Sequence, residues 1–166
     1  MIRAFKNIMP RIHETAFIAS NSTVIGDVVI GANSAVWYNA VLRGDIDSIV
    51  VGDNTNIQEG CILHCKKGSA LKIGSDVTIG HGAILHSCHI GDKTLVGMGA
   101  IVLDDSLIGN NCLIAAGSVV TSRTKISDGS LVAGSPAVVK RVLTEQEILD
   151  IENNANEYVS LLKLYK

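Results

Sequence analysis

Aliphatic residues recur at every sixth position along most of the chain. Ile12, Ile18, Val24, Ile30, Val36 and Leu42 are each six apart. The frame then slips and resumes at Val51, Ile57 and Leu63, at Ile73, Ile79 and Leu85, and at Ile90, Val96 and Val102. It runs on through Ile108, Ile114, Val120, Ile126, Val132 and Val138. Six-residue units grouped in threes predict a parallel β-helix with triangular coils, one inward aliphatic per side. The first aliphatic of each coil falls at Ile12, Ile30, Val51, Ile73, Ile90, Ile108 and Ile126, so about seven coils stack. Small residues such as Ala16, Ser22, Ser34, Ala40, Thr55, Ala83, Ala100 and Ser118 stand four places after the aliphatics and predict a narrow interior. Cys61 and Cys112 share that column, which predicts packing rather than ligation for both.

After Leu143 the period becomes helical. Thr144 and Glu147 form a capping-box pattern, and apolar residues at 148, 151, 155, 158, 159, 162 and 165 line one face. The expected organisation is a β-helix over residues 1–143 and a C-terminal helix over 144–166, folded along the outside of the prism. Tyr158 and Tyr165 on the apolar stripe read as packing residues.

Composition fits this picture and narrows the function. Sixteen glycines, two prolines and 4% aromatics suit small β units without large core side chains. A formal net charge of −2 gives no general electrostatic reason to bind nucleic acid or anionic lipid. No stretch approaches the roughly 20 apolar residues of a membrane span, and MIRAFKNIMPRIHE lacks the apolar run of a signal peptide. Four cysteines without framework spacing fit a reducing compartment. The expectation is a cytoplasmic protein without nucleic-acid or membrane partners. Cys61 and Cys65, four apart, are a weak candidate zinc clip.

The coil register sorts the histidines. His64 follows Leu63 and His86 follows Leu85, so both take the same place in consecutive coils. Strands about 4.8 Å apart would bring the two imidazoles close enough to share a metal, with Arg43 next in the ladder. His81 lies two residues after Ile79 on a different corner, with Glu59 beneath it and Gln58 beside that. His81 and His86 are five residues apart, up to roughly 16 Å along an extended chain. Nitrogens that ligate one zinc at about 2.0–2.1 Å must be much closer than that. One chain therefore should not close a three-histidine site, whereas prisms packed around a threefold axis would supply His81 from the neighbour. Three neutral imidazoles leave tetrahedral Zn²⁺ one position for water, and the same set accepts Co²⁺ or Fe²⁺. Gln58 would orient the resulting hydroxide or the substrate, and Arg43, Asp45 and Glu59 would pair across the subunit boundary. The competing reading is that these polar ladders only line a solvated face. His13 reads as a surface residue, whereas His89 falls at a one-residue deletion and leaves the ladder, which makes it a weak ligand candidate and a somewhat better one for bonding beside the site. Trp37 and Tyr38 are candidates to border the pocket or, for Trp37, to pack at the contact between chains. Lys66 and Lys67 read as a solvated loop.

The segments VWYNAVLRGD, TNIQEGCILH and VTIGHGAILHSC resemble the γ-class carbonic anhydrase family, specifically its short bacterial branch. The resemblance runs over essentially the whole chain. It implies a left-handed β-helix trimer, a handedness that spacing does not set. It also implies reversible hydration of CO₂ to bicarbonate at a metal held by His64 and His86 of one subunit and His81 of its neighbour. Arg43 and Asp45 match the family's Arg–Asp pair, Gln58 its water-contacting glutamine, and Glu59 stands where the family usually has Asp. Two departures bear on the activity. Ile46 follows Asp45 where the well-studied active branch has Glu, and CKKGSALKIG follows His64 in place of a long acidic loop. Those carboxylates are thought to pass the proton to buffer, so their loss would slow that step or redirect the chemistry. Thioester hydrolysis or another acyl transfer, and a non-catalytic metal-stapled scaffold, stay open as alternatives.

Overall fold

The computed structural model describes residues 1–165. The chain is a left-handed parallel β-helix of about seven triangular coils followed by one C-terminal helix. The predicted columns are the observed ones. Ile12, Ile30, Val51, Ile73, Ile90, Ile108 and Ile126 pair rung upon rung. The second column runs Ile18, Val36, Ile57, Ile79, Val96, Ile114 and Val132. The third runs Val24, Leu42, Leu63, Leu85, Val102 and Val120. These aliphatics form one continuous core, and the small column between them, including Ser34, Ala40, Thr55, Cys61, Ala83 and Cys112, is buried with it. A buried hydroxyl needs a partner. Ser34 Oγ accordingly donates to the Gly52 carbonyl at 2.7 Å, and Thr55 Oγ1 to that of Gly74 at 2.9 Å.

The sixfold frame fails at its last step. Val138, expected to point inward, is 49% exposed. The strand Ala137–Val142 folds back antiparallel on Ser130–Gly134 instead of opening another side of the prism. The intervening Gly134-Ser135-Pro136 explains the reversal, because proline has no N–H to give to a parallel ladder. Ala137, not Val138, packs against the core.

The helix Glu145–Leu162 begins with the predicted capping box. Glu147 N–H donates to Thr144 Oγ1, and Thr144 N–H donates to Glu147 Oε2 at 2.9 Å. Arg141 clamps the same carboxylate through two 2.7 Å bonds. The apolar stripe lies on the second-column strands Ala35–Val36, Asn56–Ile57 and Thr78–Ile79. Trp37 is buried there at 2% exposure, its ring 5.8 Å from that of Tyr158 and 5.1 Å from that of Tyr165. Trp37 is therefore covered by its own chain's helix, which corrects its expected place at a contact between chains. No described helix is long and apolar enough to cross a membrane.

Candidate metal centre

The third column carries the first half of the site. Arg43, His64 and His86 sit in direct register on consecutive strands. After His86 the chain turns at Ser87, whose φ of +45° is unusual for a residue with a Cβ. Ser87 N–H donates to the His64 carbonyl at 3.1 Å, and Ser87 Oγ accepts from Lys66 N–H at 2.7 Å. These bonds hold the two histidine strands against each other at the point where the rings project.

Each ring is backed by a carboxylate. His64 Nε2 donates to Asp45 Oδ1 at 3.0 Å, and His86 Nδ1 donates to Asp104. An ionised carboxylate only accepts, so the proton of each neutral ring is assigned to the nitrogen facing it. The remaining nitrogens, His64 Nδ1 and His86 Nε2, then face each other as lone pairs 3.1 Å apart. Two lone pairs at that distance repel unless a proton or cation lies with them. Two ligands on one tetrahedral zinc with bonds of 2.0–2.1 Å are about 3.3 Å apart, so this donor pair fits a shared ion.

The electrostatics keep both carboxylates ionised. Desolvation works to raise the Asp45 carboxyl, but hydrogen bonds from Arg43, at 2.7 Å, and from His64 outweigh it and bring it below its ordinary range. The hydrogen bond from His86 lowers Asp104 against a smaller desolvation effect, with Lys66 adding to the lowering. Lys66, expected on a solvated loop, pairs with Asp105 at 2.6 Å and Asp104 at 3.5 Å.

His81 lies on the second corner. Backbone bonds from Gly60 to Tyr38, Gly82 to Glu59, Gly99 to His81 and Gly117 to Met98 stack Tyr38, Glu59, His81, Met98 and Ala116 in one ladder. Gly82, directly after His81, has φ +68°, where a Cβ would be strained. Within its own chain His81 Nδ1 pairs with Glu59 at 2.8 Å. Glu59, assigned in the sequence to pairing across chains, thus has a partner at home, as do Arg43 and Asp45. Gln58 is buried at 5% exposure; its Oε1 accepts from His81 N–H and its Nε2 donates to Asn56 Oδ1, both at 3.1 Å. Gln58 and His81 also line a cavity of about 420 Å³ beneath Asn154 and Tyr158 of the helix. Among the described residues of one chain, no group of three or more His, Cys, Asp or Glu is arranged to hold a metal.

The weaker candidates resolve simply. The four cysteines are buried and free; burial raises the Cys61 thiol to about 11, and Cys65 Sγ donates to the Asp47 carbonyl at 3.0 Å. That removes the zinc clip. His13 is exposed, bonded to Thr15, and His89 is exposed in the first column beside Lys72.

Two features escaped the sequence reading. Asp104 is one. The other is an outward aliphatic column, Val41, Ile62, Ile84, Ile101 and Val119, immediately before the inward residues of the third column. Ile62 and Ile84 are 41% and 39% exposed. The aliphatic doublets Val41-Leu42, Ile62-Leu63, Ile84-Leu85, Ile101-Val102 and Val119-Val120 are the signal that would have found it.

Comparison with known proteins identifies the family of the chain. The model "Bacterial transferase hexapeptide (six repeats)" matches residues 9–44 and 87–122. A Methanocaldococcus jannaschii protein named "Probable carbonic anhydrase" is 52% identical over 152 residues, 90% of this chain and 96% of its own. Gamma carbonic anhydrase 2, mitochondrial, of Arabidopsis thaliana is 41% identical over 94% of this chain and 58% of its own. A solved hexapeptide transferase family protein from Anaplasma phagocytophilum superposes with a TM-score of 0.96 at 42% identity, covering 99% of this chain and 98% of that one. With carbonic anhydrases matching it almost end to end, the chain belongs to the γ-class carbonic anhydrase family of hexapeptide-repeat proteins.

Proposed function

We propose that the protein is a homotrimeric, metal-dependent enzyme that hydrates CO₂ reversibly to bicarbonate at sites shared between subunits. The carrying observation is the His64–His86 pair, two lone pairs 3.1 Å apart with both outer nitrogens tied to carboxylates. Such outer bonds fix tautomer and ring orientation, the preparation a ligand pair requires. Zinc, when bound, supplies a Lewis acid that lowers the pKa of water to about 7, the chemistry for which carbonic anhydrase is itself the usual example.

The third ligand in this reading is His81 of a neighbouring subunit. The outward aliphatic column supports it, because five aliphatics on successive rungs, Ile62 and Ile84 exposed and the other three partly so, form an apolar stripe suited to contact. With parallel prisms around a threefold axis, equal coils meet, so the coil level of His81 meets that of His86. One coil further, Met98, 59% exposed, meets the level of Ile101. Gln58 holds the His81 backbone and borders the space where substrate enters, and Arg43 steadies Asp45 and hence His64.

Zinc analysis with stopped-flow CO₂ hydration tests the reading. One metal per chain and turnover are expected, both lost in His81→Ala. A zinc-loaded trimer without CO₂ turnover would overturn the reaction. The second reading, thioester hydrolysis, is favoured by one observation: the cavity beside His81 has apolar walls, Leu95, Leu113 and Met98, larger than CO₂ needs. Chelator-sensitive release of coenzyme A from acyl thioesters would establish it, and none across chain lengths would dismiss it.

A further inference from the structure

The two histidines of the third edge are supported in parallel ways. Arg43 bonds Asp45, which accepts from His64. Lys66 pairs with Asp104, which accepts from His86. Each is a cation, a carboxylate and an imidazole in sequence. Family resemblance points to the first set; nothing in the sequence motifs points to the second.

We propose that Asp104 is a positioning residue for His86, holding its proton on Nδ1 so that Nε2 presents a lone pair to the metal, with Lys66 holding Asp104 in turn. The inference rests on the metal reading above. Neutral imidazole carries its proton on either nitrogen, and the partner of one nitrogen decides the state of the other. His86 has Asp104 as that partner, so the ring meets the ion in the required tautomer without rearranging. Asp104 is itself well anchored. Its neighbour Asp105 donates its N–H to the Ser87 carbonyl at 2.7 Å, fixing the turn that carries the carboxylate over the coil that bears His86. Ser69 Oγ and Lys66 Nζ both donate to Asp105, at 2.8 and 2.6 Å, closing the 66–69 loop over the same point. Lys66 is nearer to Asp105 than to Asp104, so its contribution to His86 is the weaker link.

The test is zinc affinity of the full-length protein by chelator competition, for the wild type, Asp104→Ala, Asp104→Asn and His86→Ala. Asp104→Ala should weaken zinc binding by about 10- to 100-fold, the usual cost of losing an outer partner of a metal-bound histidine. Asp104→Asn should recover part of that loss, because its amide oxygen accepts from the same N–H. Nitrogen NMR of the metal-free protein at alkaline pH supplies a readout that a merely structural role would not move. His86 should carry its proton on Nδ1 in the wild type and shift toward Nε2 in Asp104→Ala. Wild-type zinc affinity in both Asp104 variants, with His86→Ala losing zinc, would overturn the role of Asp104 and leave the metal reading standing. Zinc retained by His86→Ala would overturn both.

Discussion

The third edge and the second corner of the prism carry the two halves of the candidate site in different states of completion. On the edge, His64 and His86 are tied to Asp45 and Asp104, and their side chains are 19% and 33% exposed. On the corner, His81 has one ion pair to Glu59, and the two side chains are 47% and 42% exposed. A part-buried pair with each ring tied to a carboxylate is organised before any ligand arrives, which reduces what binding must spend on ordering. A half-exposed histidine gains that order from whatever packs over it. Under the proposed function, the difference means that the edge specifies where the metal would sit, while assembly would decide whether the set of ligands is complete.

The sharpest way to break this comparison is to keep all the ligands and remove the assembly. Ile84 stands on the exposed aliphatic column two residues before His86. Ile84→Lys places a charge where another copy is expected to pack, and burying an unpaired charge there costs far more than the contact gains. Mass measurement in solution should show a shift from trimer to monomer, with loss of bound zinc although all three histidines remain. Leu107→Lys is the matched control, since Leu107 is 46% exposed in the first column, where its rung neighbours are His89 and Lys125. A trimeric, zinc-loaded Ile84→Lys protein would place the assembly surface elsewhere.

Much of this contrast was legible in the sequence. Inward aliphatics at a fixed interval give the register, and register alone put His64 over Arg43, His86 over His64, and His81 over Glu59. What the interval does not encode is reach. Asp104 belongs to the coil above His86 and bonds it by extending from a turn beyond Val102, so no common position in the repeat links the two residues. The same limit hid the role of Lys66, whose partners are 38 and 39 positions away in the chain and meet it only through a loop. Val138 failed for the opposite reason. It kept the interval, but Gly134-Ser135-Pro136 had already reversed the chain, and local backbone chemistry overruled the pattern.

A smaller effect separates sites between chains from sites within one. Coexpressed His64→Ala and His81→Ala chains each lack one half of the site, yet a mixed trimer joins the intact edge of one to the intact corner of the other. With equal and random mixing, half of the edges and half of the corners are intact, so about one quarter of the zinc sites should return. Zinc analysis of the purified mixture against each variant alone measures it. A mixture no better than its components would mean that edge and corner do not meet across chains.

The smallest expected effect concerns the helix that supports the corner but not the edge. Asn154 accepts from Thr78 Oγ1 at 2.9 Å, and Tyr158 packs on Trp37, so loosening the helix should disturb the corner first. Thr144→Ala removes the capping hydroxyl and should cost about 1 kcal/mol in chemical denaturation. Acid should act at the same place. Hydrogen bonds from Arg141 and then Thr144 lower the Glu147 carboxyl to about 2 from an ordinary 4.5. A depressed carboxyl contributes stability that is complete above about 4.5 and lost as pH falls through about 2. Because Glu147 is exposed to screening by salt, its share should be modest and should shrink at high ionic strength. The helical circular dichroism signal followed from pH 5 to pH 2 should show that loss, and Glu147→Gln should flatten it. If the proton of His86 in the metal-free protein also left Nδ1 in Thr144→Ala, as read by nitrogen NMR, the edge would depend on the helix after all, and the two halves would not be separable.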